Sequence, residues 1–104
     1  MRPVVILSNM KAELMLRQRL VLDETAFAET VIWRVSPPAR GSAHRFKYRL
    51  ALVVENVCVL RYDNEAGKGD HKHVGDAQVA YQFADIDTLQ ADFWADVEEW
   101  MGKP

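Results

Sequence analysis

The chain predicts an α+β fold: an antiparallel meander sheet of four to five strands, with a C-terminal helix packed on one face. Three stretches predict it. Residues 45–54, RFKYRLALVV, alternate without a break. Residues 57–64, VCVLRYDN, return after the two-residue turn Glu55-Asn56. Residues 86–101, IDTLQADFWADVEEWM, carry apolar side chains at helical spacing. A length of 104 residues makes one domain. A hydrophobic content of 49% and three tryptophans argue against a disordered chain.

The elements follow in order. The apolar run near Pro3–Leu7 is too short for the core of a signal peptide and has no cleavage pattern. Residues 1–9 are therefore expected to be an N-terminal extension, with Met10 an alternative start and 10–104 the domain. ELMLRQRLVL, residues 13–22, is ambiguous in period and favours a strand whose first residues could be helical. Asp23-Glu24-Thr25 turns the chain. In AFAETVIWRV, residues 26–35, Phe27, Val31, Trp33 and Val35 share one face and Ala28, Thr30, Ile32 and Arg34 the other. SPPARGSAH, residues 36–44, is a loop because prolines remove backbone donors.

In residues 45–54 Phe46, Tyr48, Leu50, Leu52 and Val54 point one way, and Arg45, Lys47, Arg49, Ala51 and Val53 the other. The short Glu55-Asn56 link demands an antiparallel hairpin. Residues 65–77 read as a polar loop, and Gln78–Phe83 as a short strand. Ile86, Leu89, Phe93, Val97 and Trp100 form the helical stripe. Asp85 suits the N-cap, Gly102 suits the stop, and Asp92, Asp96 and Glu99 are expected outward. The helix should cover the Phe46/Tyr48/Leu50 face.

Charge is unevenly spread. Residues 34–73 hold eight basic and four acidic groups, whereas 74–104 hold one basic and seven acidic. Such a division suits an anionic partner for the middle of the chain. With one face under the helix, the opposite face of the central hairpin carries Arg45, Lys47, Arg49 and Arg61, with Arg34 a candidate neighbour. Cations on adjacent strands repel, and a phosphate backbone turns that repulsion into attraction. A solvated sheet face has the same appearance and is the plain alternative. Tyr48 and Tyr62 fall on the wrong side to stack against a nucleic acid.

The only cysteine, Cys58, lies in an apolar run and excludes an internal disulfide, which suits a reducing compartment. A cytoplasmic location follows, and no segment approaches the roughly 20 apolar residues of a membrane helix. The concentrated chemistry is GKGDHKH, residues 67–73. If extended, it places His71 and His73 on one side and Asp70 and Lys72 on the other. Ribonuclease chemistry without a metal needs a base, an acid and a cation. His71 and His73 fit the first two roles, and Lys68, Lys72 or Arg61 the third. Asp70, His71 and His73, joined by Asp63, could instead be metal ligands, although H-x-H alone is a weak signal. An idle polar loop is the third possibility.

The string YDNEAGKGDHKHVG, followed by YQF and DFWADVEEW, resembles the TumE-like family of bacterial toxin–antitoxin toxin components. KAELMLRQRL and VIWRVSPPARGSAHRFKYRLALVV extend the resemblance, which runs from about Met10 to Trp100. The matching motif residues are Tyr62, Asp63, Asn64, Gly67, Lys68, Gly69, Asp70, His71 and His73. The chain departs from the family pattern at Asp23-Glu24-Thr25 and at Asp76–Ala80. The resemblance implies a small toxin neutralised by a helix-turn-helix antitoxin, and it assigns no catalytic roles.

The combined expectation is a toxin, an endoribonuclease cutting RNA by metal-independent acid/base chemistry through Lys68, Asp70, His71 and His73. Arg34, Arg45, Lys47, Arg49, Arg61 and Lys72 would hold the nucleic acid. No cofactor or membrane is expected, and an exposed edge strand would allow a homodimer. The alternatives are a non-catalytic nucleic-acid- or protein-binding module and a metal-dependent nuclease.

Overall fold

The computed structural model describes residues 4–7, 10–38, 40–65 and 67–102. Six strands form the body of one antiparallel meander: β2 (Met10–Val21), β3 (Ala26–Ser36), β4 (Phe46–Val54), β5 (Val57–Glu65), β6 (Gly69–Val74) and β7 (Ala77–Ala80). A short seventh, β1 (Val4–Leu7), pairs with the start of β2 and forms the outer edge. The α+β class holds, and the count of four to five strands is corrected. Two differences account for the change. Most of GKGDHKH, from Gly69 onward, is a strand rather than a loop, and residues 4–7 of the expected extension pair into the sheet. The rest of that extension, residues 1–3, 8 and 9, lies outside the described residues.

The early ambiguity also resolves. Residues 10–21 are strand throughout, with a bulge between Leu14 and Leu16. One extra residue in a bulge reverses which face the following side chains take. The turn after β4 is a two-residue hairpin with left-handed backbone at both Glu55 (φ 49) and Asn56 (φ 67). That conformation matches the twist of the flanking strands.

Helix α1 (Ile86–Met101) begins at Asp85, whose carboxylate accepts from Thr88 N at 2.7 Å. It ends at Gly102, whose N–H donates to Glu98 O at 2.9 Å. Leu89, Phe93 and Val97 lie buried against Ala28 and Ile32 of β3, Tyr48, Leu50 and Leu52 of β4, and Leu60 and Tyr62 of β5. The helix therefore covers the expected face.

Asp92 and Asp96 do not point outward. Asp96 Oδ2 accepts from Tyr62 Oη at 2.5 Å and Lys72 Nζ at 3.0 Å, and Asp92 Oδ2 accepts from Tyr81 Oη at 2.6 Å. A buried phenol needs a partner, and the helix margin supplies the nearest acceptors. Tyr48, the remaining tyrosine, donates to Asp70 Oδ1 at 2.6 Å.

All three phenols have their ionisation pushed well above the ordinary value of 10.0, first by burial and then by the carboxylate each one faces. Their contribution to stability is intact below about pH 10 and is lost above it, because the unfolded chain ionises first. The folded protein should thus show no tyrosinate absorbance until alkali unfolds it. A tyrosine titrating at its ordinary value, with the circular dichroism unchanged, would contradict this. At the β4–β5 turn, replacing Glu55-Asn56 with Asn-Gly should raise stability by about 1 kcal/mol in urea unfolding, since these residues adopt left-handed backbone more readily. No gain would show that the turn carries no strain.

Candidate functional site

The helix leaves the other sheet face open, and strand register decides what stands on it. One row across the sheet runs Arg17, Val31, Arg49, Asp63, His71. The next runs Arg19, Glu29, Ala51, Arg61, His73, Gln78. Trp33 and Lys47 are paired in the row on the other side. The expected parity of Lys47, Arg49 and Arg61 therefore holds, and His71 and His73 share their face.

Contacts within this face are specific. Arg61 Nη2 lies 3.0 Å from His73 Nε2. A guanidinium can only donate, so Nε2 is the acceptor and the His73 proton resides on Nδ1. Arg61 Nε lies 3.0 Å from Asp63 Oδ2, an ion-pair distance without hydrogen-bond alignment. Asp63 is only 7% exposed and is held by that guanidinium, with His73 Nε2 3.9 Å away. Lys68, at the β5–β6 turn, pairs with Glu65 at 3.2 Å and lines a small cleft with His71, His73 and Gln78. Glu65 is held below its ordinary value by the hydrogen bond and charge of Lys68. The His71 ring has no hydrogen-bond partner among the described residues.

Three expected site residues stand elsewhere, and a fourth, Arg45, lies outside the strands. Asp70 and Lys72 project to the helix side, as alternation along β6 requires. Lys72 is tied to Asp96, and its ammonium sits 5.6 Å from the Tyr62 ring centre. Arg34 pairs with Phe46 and Glu13, so it belongs to the helix-side parity rather than to the cationic face. Arg45 precedes β4 as an exposed bend residue whose carbonyl accepts from Val35 N at 2.7 Å. A metal set combining Asp70 with His71 and His73 is ruled out by these opposite faces. Among the described residues, no three His, Cys, Asp or Glu side chains cluster as metal ligands.

Asp70 has a different task, one that involves a histidine missed in the sequence. His44 Nδ1 accepts from Phe46 N at 3.1 Å, which puts the ring proton on Nε2, 2.9 Å from Asp70 Oδ1. The ring stacks on Phe83 at 3.9 Å between centroids. Both His44 nitrogens are engaged and both groups are nearly buried, with side chains 13% and 14% exposed. No nitrogen remains for a substrate, so the cluster fastens the 36–45 connection to β6. Nothing in SPPARGSAH marks this histidine, because its partner lies 26 residues away. Arg17 was missed for another reason: the bulge near Met15 turns it onto the open face.

The remaining motif residues are mostly structural. Asn64 is 1% exposed; its Oδ1 accepts from Tyr48 N at 2.9 Å and its Nδ2 donates to Phe46 O at 2.6 Å, extending the β4–β5 ladder. Gly67 N donates to Arg40 O at 2.5 Å, and a Cβ on Gly41 would come within 3.2 Å of the Gly67 backbone. The two connecting segments meet there closely enough that a Cβ would crowd them, and positive φ at Gly41 (83) and Gly67 (85) favours glycine at both positions.

A family described as toxin TumE matches residues 8–101, so the chain belongs to the TumE toxin family. Comparison with curated proteins and with solved structures finds no match. Membership of a toxin family implies an antitoxin as partner. No described helix is long and apolar enough to cross a membrane.

Replacing Asp70 with Ala removes the acceptor of two nearly buried donors, His44 and Tyr48. Denaturant unfolding should show a loss of roughly 2–4 kcal/mol. A loss within about 0.5 kcal/mol, the range of ordinary surface substitutions, would mean that the cluster is not structural.

Proposed function

We propose that this toxin binds RNA on the open sheet face and cleaves it by metal-independent acid/base chemistry at His71 and His73. The observation that carries the proposal is the shared parity of His71 and His73 with Arg49 and Arg61 across β4, β5 and β6. Two residues apart on a strand, the imidazoles stand about 7 Å from one another. That separation spans a phosphodiester, with one ring on each side.

One imidazole takes the proton of the ribose 2′-hydroxyl as its oxygen attacks phosphorus. The other gives a proton to the departing 5′-oxygen, leaving a 2′,3′-cyclic phosphate. Arg61 and Lys68 flank the pair and would stabilise charge on the non-bridging oxygens. Arg49, Lys47 and Arg17 would hold neighbouring phosphates, releasing counterions. Asp63 fixes Arg61 and faces His73, so it orients the site without touching substrate. Asp70 and Lys72 have no part in this scheme, and Arg34 and Arg45 are not needed for it. Neutralisation by a helix-turn-helix antitoxin belongs to the same proposal.

Expression of His71→Ala or His73→Ala should abolish growth inhibition while leaving the circular dichroism spectrum unchanged. In vitro the rate of RNA cleavage should fall by about 10²- to 10⁴-fold, the usual share of acid/base catalysis. Full toxicity in the double variant would remove these residues from the mechanism. Incubation of the wild type with total RNA should give cleavage that persists in EDTA. Cleavage lost with chelator would indicate a metal-dependent nuclease, and intact RNA would indicate binding without chemistry.

A further inference from the structure

We infer that the cleft at Trp33 is a seat for an unpaired nucleobase, which makes single-stranded RNA the substrate class of the open face. The inference rests on the proposed RNA-binding role of that face. The cleft measures about 390 Å³ and is lined by Val31, Trp33, Lys47, Arg49, Arg61 and Asp63, among others. Its volume lies in the range of roughly 300–1,000 Å³ typical of small-ligand sites. Its contents are what a nucleotide requires. Val31 and the half-buried Trp33 ring give an apolar surface. Lys47 and Arg49 are their direct cross-strand neighbours, so cations stand beside that surface on the same face.

Trp33 faces away from the helix-covered core, whereas Tyr48 of β4 and Tyr62 of β5 are buried in that core. A half-buried tryptophan among cations on an open sheet offers base stacking with phosphate contacts at its rim. Duplex RNA cannot use such a seat, because its bases are already stacked and paired.

The position of this seat relative to the histidines has a further consequence. Trp33 stands on β3 and His71 on β6, three strand spacings apart, or about 14 Å. That is too far for the base and the scissile phosphate to belong to one nucleotide. The seated base would be a flanking one, so Trp33 would select sequence context rather than take part in the chemistry.

The test uses the full chain and a 2′-O-methyl oligoribonucleotide of mixed sequence, which cannot undergo attack by a 2′-hydroxyl. Its affinity is measured by fluorescence anisotropy, alone and annealed to its complement. The single strand should bind at least 10-fold more tightly than the duplex. Trp33→Ala should weaken single-strand binding by about 5- to 100-fold and leave duplex binding within about twofold, as expected if stacking is lost. Trp33→Phe should keep affinity within about threefold, since a smaller ring still stacks, while abolishing most of the tryptophan quenching that accompanies binding. The Phe variant guards against a fold lost in the Ala variant. Single-strand binding that is unchanged in Trp33→Ala, or quenching that persists in Trp33→Phe, overturns the base seat and leaves RNA binding standing. A wild type that binds neither strand form overturns the RNA-binding role as well.

Discussion

Strand register at β6 is the constraint on which the rest depends. Six residues, Gly69–Val74, alternate between two faces with different jobs. Asp70 and Lys72 reach into the layer under the helix, where they meet His44, Tyr48 and Asp96. His71 and His73 rise from the opposite face, beside Asp63 and Arg61. A slip of one residue would exchange the two sets and put imidazoles into the core. Several interactions oppose such a slip. Asp70 is held by two donors, Lys72 by the helix, and the β5–β6 turn by glycines whose backbones meet the 36–45 connection. The side chains of the open face are thus fixed from behind, by hydrogen bonds on the helix-covered side.

Much of this organisation was legible in the sequence. The stripe from Ile86 to Trp100 and the unbroken alternation of residues 45–54 gave the helix, the central hairpin and the face between them, because each carries a single clear period. Parity within GKGDHKH was also legible, since an extended stretch alternates its faces. That it forms a strand was not. Its residues are polar or glycine, and strand propensity is carried by β-branched and aromatic side chains it lacks. It pairs because β5 presents a free edge and the turn at Gly67-Lys68-Gly69 returns the chain to it. Register, rather than burial of its own side chains, makes it a strand.

The remaining gaps have separate physical causes. Arg17 could not be placed because a single bulge reverses parity and nothing in ELMLRQRLVL announces one. Asp92 and Asp96 looked solvated because they lie off the apolar stripe, yet the phenols of Tyr62 and Tyr81 reach the helix margin and need acceptors there. His44 was silent because its partner is remote in sequence. In each case the missing information was a long-range pairing between polar groups, which periodicity does not carry. With those pairings known, the family motif separates. Tyr62, Asn64, Gly67 and Asp70 hold the fold, Asp63 anchors Arg61, and His71 and His73 stand on the open face with Lys68 at its margin.

The central claim is that the two sheet faces divide structure from function, and backbone and side-chain NMR of the ¹⁵N-labelled protein tests it directly. On addition of an uncleavable single-stranded oligoribonucleotide, resonances of Arg49, Arg61, His71 and His73 should shift together. Those of His44, Phe93 and Val97, on or beneath the helix-covered face, should stay in place. Shifts confined to the helix side, or centred on His44 and Asp70 with the open face silent, would contradict the account.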